Sequence, residues 1–381
     1  MLHYKLNKKK ILIIILVVSS IFYIGYTAGS QHIPFSNSLN FLYIKYFSQD
    51  SEKYEEIHPI IKETDVESLI NIQNLDDVEK KRNQLINFIW KINSLPKNEL
   101  PTKIIQNITD QRFSSLKNLE RIDKMIINME FGIDSYPYMF HPVEKNNRLI
   151  IYHQGHYGDF IHGKNVISYF VEKGYTVLAF SMPLLGSNNA PILNIENFGV
   201  IKIDSHNKLR FLDSEDFSAI KFFFQPILVS LNYIENNYYF ETVDMIGLSG
   251  GSWTITVYSA VDERISKIFP VGGILPTYIN QNSHYSKWEY ESTYLPLYRI
   301  ANYPEIFILS SHGENKEHIK IQNKYDSCCY YGVSYTTFEK DIQSSIKNLG
   351  KGKFVIYLDE THSRHMISDF SLELIEQNLK K

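Results

Sequence analysis

The stretch VDMIGLSGGSW, Val243–Trp253, carries the strongest structural signal in this sequence. Its centre, GLSGG at positions 247–251, matches the pattern G-x-S-x-G. An apolar segment typical of a buried strand precedes the glycines, and a segment with the pattern of an amphipathic helix follows them. A strand that turns directly into a helix needs a sharp, strained turn with small residues around it. The stretch therefore predicts a strand, turn and helix with Ser249 exposed at the turn.

Apolar strands and helices alternate along the chain on both sides of this unit. The strand candidates are LIIYH, YTVLAF, KIFPV, HIKIQN and FVIYLD, and amphipathic segments such as NVISYFVEKG lie between them. This alternation favours right-handed crossovers and a mostly parallel sheet covered on both faces. Two earlier segments, RIDKMIINMEFG and SYPYMFHPV, alternate like paired antiparallel strands. The predicted fold class is α/β, with a doubly wound, mostly parallel sheet.

The sequence divides into three regions: an apolar N-terminal segment (1–29), a helical lead-in (30–116) and an α/β domain (117–381). Within the lead-in, DDVEKKRNQLINFIWKINSL places its apolar residues on one helical face. Those residues are Val78, Leu85, Ile86, Ile89 and Trp90. Inside the α/β domain, an insertion around 191–213 is longer than an ordinary connection and is either a cap over a pocket or a surface hairpin.

Composition limits the classes of partner and cofactor. The chain has 381 residues, of which 44% are hydrophobic and 14% aromatic, which is enough for a substantial core. A net charge of −3 and the lack of a basic stripe with interleaved aromatics predict no nucleic-acid partner. A Gly-rich phosphate loop after the first strand and a His-Glu-x-x-His motif are both missing from the sequence, so we expect no nucleotide, metal or other cofactor.

The N-terminal segment is predicted to interact with a membrane. KLNKKK precedes a run of 19 residues without charge, Ile11–Gly29, which would span about 28 Å as a helix. The flanking lysines favour a cytoplasmic N-terminus, which places the rest of the chain across the membrane. A signal peptide cleaved near TAGS, or a buried helix, remains an alternative. We therefore expect a single-pass protein with an extracytoplasmic domain, or a secreted protein if the segment is cleaved.

With these elements in place, the chain from Leu119 to Lys381 resembles the α/β-hydrolase fold family. The resemblance implies that Ser249 is a nucleophile and that backbone N–H groups stabilise the oxyanion formed on the attacked carbonyl. One of these donors would be Gly250. The second would come from the loop HQGH after an earlier strand, where Gln154 and His156 are both candidates because Gln154 interrupts the family's usual His-Gly.

The resemblance also implies a catalytic base in the loop after the last strand. The sequence there, LDETHSRHMIS, offers His362 and His365. His362 stands where many family members have Gly-His, whereas His365 leads directly into Ser368, the predicted cap of the last helix. The anchored end of the loop favours His365, with His362 as the alternative base.

An acid that orients the base is implied after the penultimate strand. Taking HIKIQNKYD as this strand places Asp326 at the family's spacing, and Asp326 is the preferred acid. If the strand lies earlier, at the sequence before HGENKEH, Glu314 becomes the candidate, although Lys316 then occupies the acid position. Asp359 is a further alternative that lies close to the histidine strand.

The two cysteines, Cys328 and Cys329, are adjacent in the sequence. They form either a strained disulfide between neighbours or a pair of reduced thiols in a loop. They lack further cysteines or histidines at ligand spacing, so the sequence does not indicate a zinc site.

Two classes of function follow from these residues. The first is a serine hydrolase with a Ser-His-Asp triad and an acyl-enzyme intermediate, acting on a small-molecule or lipid-like carboxylic ester. A peptidase or an acyltransferase on the same fold is a variant of this hypothesis. The second is an inactive α/β-hydrolase domain that acts as an extracytoplasmic binding module.

Overall fold

A nine-stranded sheet forms the centre of the protein in the computed structural model, which describes residues 49–280 and 289–381. Two further strands form a separate hairpin. In chain order the strands are β1 Lys103–Ile105, β2 Leu119–Ile126, β3 Tyr138–Pro142, β4 Arg148–His153, β5 Thr176–Phe180, β6 Ile192–Ile195, β7 Gly199–Lys202, β8 Thr242–Leu248, β9 Lys267–Val271, β10 Glu317–Asn323 and β11 Lys353–Asp359.

Most of the longer helices connect successive strands of this sheet. In chain order the α-helices are α1 Pro59–Lys62, α2 Leu75–Trp90, α3 Lys164–Glu172, α4 Gln225–Asn237, α5 Gly250–Val261, α6 Thr277–Asn280, α7 Tyr290–Thr293, α8 Leu295–Tyr298, α9 Tyr303–Ser311, α10 Glu339–Leu349 and α11 Asp369–Leu379. Short 3₁₀ helices span Gln49–Tyr54, Glu67–Leu69, Gln111–Phe113, Glu130–Gly132, Phe160–Gly163, His206–Leu212, Ala219–Phe223 and Ser334–Thr337.

The order of the sheet is β1-β2-β3-β5-β4-β8-β9-β10-β11. The six strands from β5 to β11 in this order pair in parallel, whereas β1, β2 and β3 form an antiparallel edge. The prediction of a mostly parallel α/β sheet is therefore confirmed, as is the antiparallel pair at the start of the domain. The carboxyl ends of β4, β8, β10 and β11 meet at one edge, which is where open α/β sheets place their ligands.

Helices cover both faces of the sheet, as expected for strands that are apolar on both sides. The core on one face includes buried residues of α2, α4, α5, α9 and α10, and the core on the other face includes those of α3 and α11. The helix after Ser249 differs from the prediction of an amphipathic helix. Every residue of α5 is buried, because α9 and α2 pack against this helix in addition to the sheet.

The predicted lead-in helix is confirmed as α2, and its five predicted core residues are its buried residues. Trp90 also donates a hydrogen bond from Nε1 to Gln225 Oε1 at 2.6 Å, which fixes α2 against α4. The sheet itself begins earlier than the sequence indicated. β1 lies within the region predicted as a helical lead-in, because Lys103–Ile105 pairs with the end of β2.

The insertion around 191–213 contains both predicted features. β6 and β7 form an exposed hairpin, and the following residues Asp204, Ser205 and His206 turn inward and line a cavity.

The proposed membrane segment, Ile11–Gly29, lies outside the described residues. Within residues 49–280 and 289–381, none of the helices has both the length and the apolar character that a membrane crossing requires.

Candidate active site

The turn between β8 and α5 holds Ser249 in a strained conformation. Its φ and ψ angles are 58° and −121°, in a region that favours glycine. The Ser249 N–H donates to the carbonyl of Val271 at 3.0 Å, so the neighbouring strand β9 supports the turn. A strained serine at the carboxyl edge of the sheet is the geometry that the G-x-S-x-G sequence predicts.

Close packing around this turn explains two of its glycines. A Cβ atom at Gly247 would lie 2.5 Å from the Gly251 carbonyl oxygen, and one at Gly251 would lie 2.1 Å from the carbonyl oxygen of His153. Both distances are shorter than van der Waals contact allows. Glycine at these two positions lets β8, α5 and the end of β4 approach one another.

A histidine and a carboxylate form a pair at the ends of β10 and β11. His365 Nδ1 lies 2.6 Å from Asp326 Oδ2. Asp326 is 1% exposed, and its other oxygen accepts the backbone N–H groups of Cys328 and Cys329 at 2.8 and 3.2 Å. Because a carboxylate only accepts, Nδ1 carries the proton and Nε2 is the ring nitrogen with a free lone pair. Nε2 is buried, and none of the described residues forms a hydrogen bond with it.

Two adjacent glycines bring this pair next to Ser249. A Cβ atom at Gly272 would lie 3.5 Å from Asp326 Oδ2 and 3.6 Å from His365 Cε1. One at Gly273 would lie 2.2 Å from the Ser249 carbonyl oxygen. The segment after β9 is therefore in contact with the serine on one side and with the histidine and aspartate on the other. Ser249 and His365 also line the same cavity.

The alternative base, His362, points to a different part of the protein. Its Nε2 lies 3.3 Å from Asp359 Oδ2, and its Nδ1 accepts the backbone N–H of Arg364 at 3.1 Å. Burial alone would raise the pKa of Asp359, but the nearby His362 ring and hydrogen bonds from Ser368 and Thr361 outweigh it and lower the pKa to about 2. His362 thus belongs to a buried polar network beneath the last helix, and it does not line the cavity.

The alternative acids are also away from Ser249. Glu314 follows α9, a helix rather than the strand that its candidacy required, and its side chain is 80% exposed with Lys351 Nζ at 3.9 Å. Asp359 is engaged with Ser368, Ser371 and Thr361. Of the three candidate acids, Asp326 is the one that contacts a histidine of the cavity.

The three candidate oxyanion donors differ in the surroundings of their backbone N–H groups. Gly250 is the first residue of α5, where backbone N–H groups have no acceptor within the helix. The N–H of Gln154 donates a hydrogen bond to the Phe180 carbonyl at 2.9 Å, at the edge of the sheet, and is therefore not free to bind an oxyanion. His156 lies against Gly250: a Cβ atom on this glycine would lie 2.5 Å from His156 Nδ1. Because the Gln154 N–H is engaged elsewhere, Gly250 and His156 are left as the candidate donor pair.

Ser249 lines a cavity of about 1100 Å³. This volume is slightly above the usual range for small-molecule sites, about 300 to 1,000 Å³. Aromatic side chains form much of the wall, including those of Tyr157, Trp253 and Tyr330, and the disulfide-bonded Cys328 and Cys329 lie beside them. The cavity can therefore accept a ligand with an extended apolar or ring-shaped surface.

Sequence reasoning missed a second polar group on the cavity wall. Glu291 is 1% exposed and lies between the imidazoles of His156 and His206. No sequence pattern indicates this contact, because aromatic residues around Glu291 are typical of packing and His206 lies in an insertion. The backbone N–H groups of Cys328 and Cys329 that bind Asp326 were missed for a similar reason. Almost every residue type has a backbone N–H, so the sequence does not show which of them act as donors.

Together, the sheet order, the strained serine turn and the placement of candidate residues at one sheet edge define the α/β-hydrolase fold, and the chain has this fold. Neither a protein-family model nor a curated protein sequence matches it significantly. Among solved structures, it is similar to acetyl xylan esterase 1 from Thermoanaerobacterium sp. JW/SL YS485, with a TM-score of 0.53 and 13% identity over 85% of this chain and 98% of that one. The acetyl xylan esterase from Paenibacillus sp. R4 gives 0.52 and 14% over 87% and 98%. At such identities the likeness establishes the fold alone.

A buried lysine beneath the serine turn should make the stability of the protein depend on pH. Lys320 is fully buried, its Nζ donates to the Gly273 carbonyl at 2.6 Å, and burial lowers its pKa to about 7. Between pH 7 and its unfolded pKa of about 10.4, the unfolded chain binds more protons at this residue than the native state. Stability should therefore rise with pH from 7 to 9.5, by up to about 1.4 kcal/mol per pH unit.

The free energy of unfolding in urea, measured at several pH values, checks this expectation. Lys320→Met should flatten the slope but not remove it, because burial also lowers the pKa of Lys316, to about 8. Lys351→Met, at a side chain that is 61% exposed, is the control and should leave the slope unchanged. Equal slopes in wild type and Lys320→Met would show that Lys320 does not titrate in this range.

Proposed function

We propose that the protein is a serine hydrolase that cleaves small-molecule carboxylic esters, with Ser249 as nucleophile, His365 as base and Asp326 as the orienting acid. The observation that carries the proposal is the contact between the buried Asp326 and His365, together with the strained Ser249 that lines the same cavity as His365. Structural packing alone does not call for all three features in one place. The combination is the arrangement that nucleophilic acyl transfer needs.

Each residue would have a definite role in the reaction. Ser249 Oγ attacks the ester carbonyl while His365 Nε2 takes its proton, and Asp326 stabilises the imidazolium through Nδ1–H. The backbone N–H groups of Gly250 and His156 would stabilise the oxyanion. His365 then protonates the leaving alcohol, and water, activated by the same nitrogen, hydrolyses the acyl-enzyme.

Esters are favoured over amides on two grounds. The solved structures with a similar fold are named as acetyl xylan esterases, which supports an ester substrate for this chain by analogy. The cavity, about 1100 Å³ with an aromatic wall, has room for an alcohol group as large as a sugar ring. A peptidase or acyltransferase on the same residues is a variant that substrate tests distinguish.

Hydrolysis of p-nitrophenyl acetate, with p-nitroacetanilide as the matched amide, tests the proposed reaction. We expect release of p-nitrophenol that saturates with ester concentration and much slower release from the amide. Faster cleavage of the anilide would favour a peptidase. If the protein turns over neither compound and does not react with a fluorophosphonate, the inactive binding module becomes the better description.

The location of this activity is a separate proposal that rests on the sequence of residues 1–29. Lysines followed by the uncharged run Ile11–Gly29 support an N-terminal membrane anchor with the hydrolase domain on the extracytoplasmic side. Cleavage of the segment would give a secreted enzyme instead. Alkaline carbonate extraction of membranes, with N-terminal sequencing of the protein, separates an intact anchor from a cleaved signal.

Asp326→Asn is expected to lower kcat for ester hydrolysis by about 10⁴-fold. An amide at this position offers an N–H toward His365 and favours the wrong tautomer, with the lone pair on Nδ1 rather than Nε2. KM should change little, because Asp326 is buried behind the histidine. Steady-state kinetics with p-nitrophenyl acetate provide the measurement. Glu314→Gln is the control, and a similar loss in that variant would contradict the assignment of the acid.

A further inference from the structure

Two histidines and two glutamates lie together on the cavity wall, outside the Asp326–His365 pair. His156 follows β4, His206 lies in the insertion, and Glu289 and Glu291 lie at the start of α7. These three chain segments are separated by about 50 and 80 residues, so the group has no local sequence motif. The expectation of a chain without a metal site rested on such motifs.

The distances within the group are short. His156 Nε2 lies 2.6 Å from Glu291 Oε1, and His206 Nδ1 lies 3.1 and 3.2 Å from the two oxygens of the same carboxylate. One side-chain nitrogen of each histidine and one oxygen of Glu289 all lie within 4.8 Å of one another. Ligand atoms around a single metal ion lie about 3 to 4 Å apart when each metal bond is near 2.1 Å. The two histidines and Glu289 are near this spacing, whereas the 2.6 Å contact of His156 with Glu291 is a hydrogen bond that would open when an ion binds.

The contacts of His206 require a proton or a metal ion between this ring and Glu291. His206 Nε2 lies 3.0 Å from the Pro183 carbonyl, which can only accept, so this nitrogen carries a proton. Its Nδ1 then faces two carboxylate oxygens. A lone pair at this position would repel the carboxylate, so a proton or a metal ion must lie between them. Glu291 is 1% exposed, which makes an uncompensated charge costly.

Charge neutrality is reached in two ways. Two protonated imidazoles balance the two carboxylates, and so does one divalent cation held by two neutral imidazoles. The second arrangement accounts for two further facts. Glu289 adds a carboxylate oxygen beside the two histidines, although hydrogen bonds between these histidines and Glu291 do not require a second carboxylate. The hydrogen bond from His206 Nε2 to a backbone carbonyl is the kind that orients histidine ligands in metal sites.

An ion can reach this group from the cavity. The His156 side chain is 34% exposed, and His156, Glu289 and Glu291 all line the cavity. Imidazole nitrogen with carboxylate oxygen is a donor set that suits Zn²⁺ and similar first-row divalent ions.

We propose that His156, His206, Glu289 and Glu291 bind a divalent cation, with Zn²⁺ as the favoured ion, on the wall of the cavity. The ion would lie close to Gly250, against which the His156 ring packs. From there it can bind oxygen atoms of a molecule in the cavity. The proposal does not depend on the proposed ester hydrolysis.

Isothermal titration of the full-length, EDTA-treated and dialysed protein with ZnCl₂ tests this site. We expect about one equivalent of Zn²⁺ with a Kd of about 10 µM or lower. Glu289→Gln and His206→Gln should each weaken binding by at least about tenfold. Glu289 is partly exposed, so its variant remains informative if the buried His206 variant fails to fold. His162→Gln is the matched control, because His162 lines the same cavity outside the group.

Stoichiometric binding that is lost in Glu289→Gln and kept in His162→Gln would support the site. A wild-type protein that binds no Zn²⁺, or that binds it equally well after Glu289→Gln, would overturn the proposal and leave a buried ion pair of imidazolium and carboxylate. Because the measurement is binding, its outcome is independent of whether Ser249 is a nucleophile.

Discussion

Ser249→Ala should reduce kcat for p-nitrophenyl acetate by about 10⁴- to 10⁶-fold. The variant removes the only atom of this residue that can form the acyl-enzyme, while the cavity and the oxyanion donors stay in place. Alanine keeps the Cβ atom, so the strain at φ 58° remains and the free energy of unfolding should change by less than about 0.5 kcal/mol. Steady-state kinetics and urea unfolding of the same preparations provide both measurements.

Two further variants separate catalysis from structure at this turn. Ser249→Gly should also be inactive, but its stability should rise by about 1 kcal/mol because glycine tolerates the positive φ. Ser252→Ala loses a hydroxyl whose single proton is shared between the carbonyls of Gly247 and Val271, each 2.8 Å away. It should be less stable and still turn over the ester. Retained activity in Ser249→Ala would remove this serine from the mechanism.

The second large effect concerns the two histidines of the loop after β11. His365→Ala should lower kcat by about 10⁴- to 10⁶-fold, because the base that contacts Asp326 is lost. His362→Ala should keep kcat within about tenfold and instead lower stability by about 1 to 3 kcal/mol, since the buried Asp359 loses its 3.3 Å contact with the His362 ring. Kinetics and urea unfolding of the two variants, prepared side by side, test this division.

The opposite pattern, with His362→Ala inactive and His365→Ala active, would contradict the assignment of the base. A pH profile adds an independent check. If His365 is the base, kcat/KM of wild type should fall on the acid side as one imidazole becomes protonated. His362→Ala should show the same acid limb as the wild type.

Much of the fold was predictable because the decisive features are local in sequence. The apolar runs that form β4, β5 and β9 are typical of strands buried on both faces. The turn at Ser249 needs small residues at fixed positions, and that need is visible as GLSGG. Asp326 was chosen because it has the spacing after a strand that the resemblance to the α/β-hydrolase fold family implies, and in the structure it contacts His365.

Other features depend on contacts that sequence patterns do not record. Helix α9 is buried on all sides, so it lacks the amphipathic pattern that would distinguish it from a strand. The choice between His362 and His365 depended on which ring meets Asp326, and both lie in the same loop. The Gln154 N–H donates a hydrogen bond to the Phe180 carbonyl, and this contact depends on how the strands pair in the sheet. The group of His156, His206 and Glu291 depends on three distant segments coming together.

The most direct test of the central proposal is covalent labelling of the full-length protein with a fluorophosphonate, followed by peptide mass spectrometry. Such a probe reacts with an activated serine and leaves a stable adduct on its Oγ. We expect one adduct, on Ser249, that is lost in Ser249→Ala, strongly reduced in His365→Ala and retained in His362→Ala. A wild-type protein that remains unlabelled, or that carries the adduct on a different residue, would contradict the account.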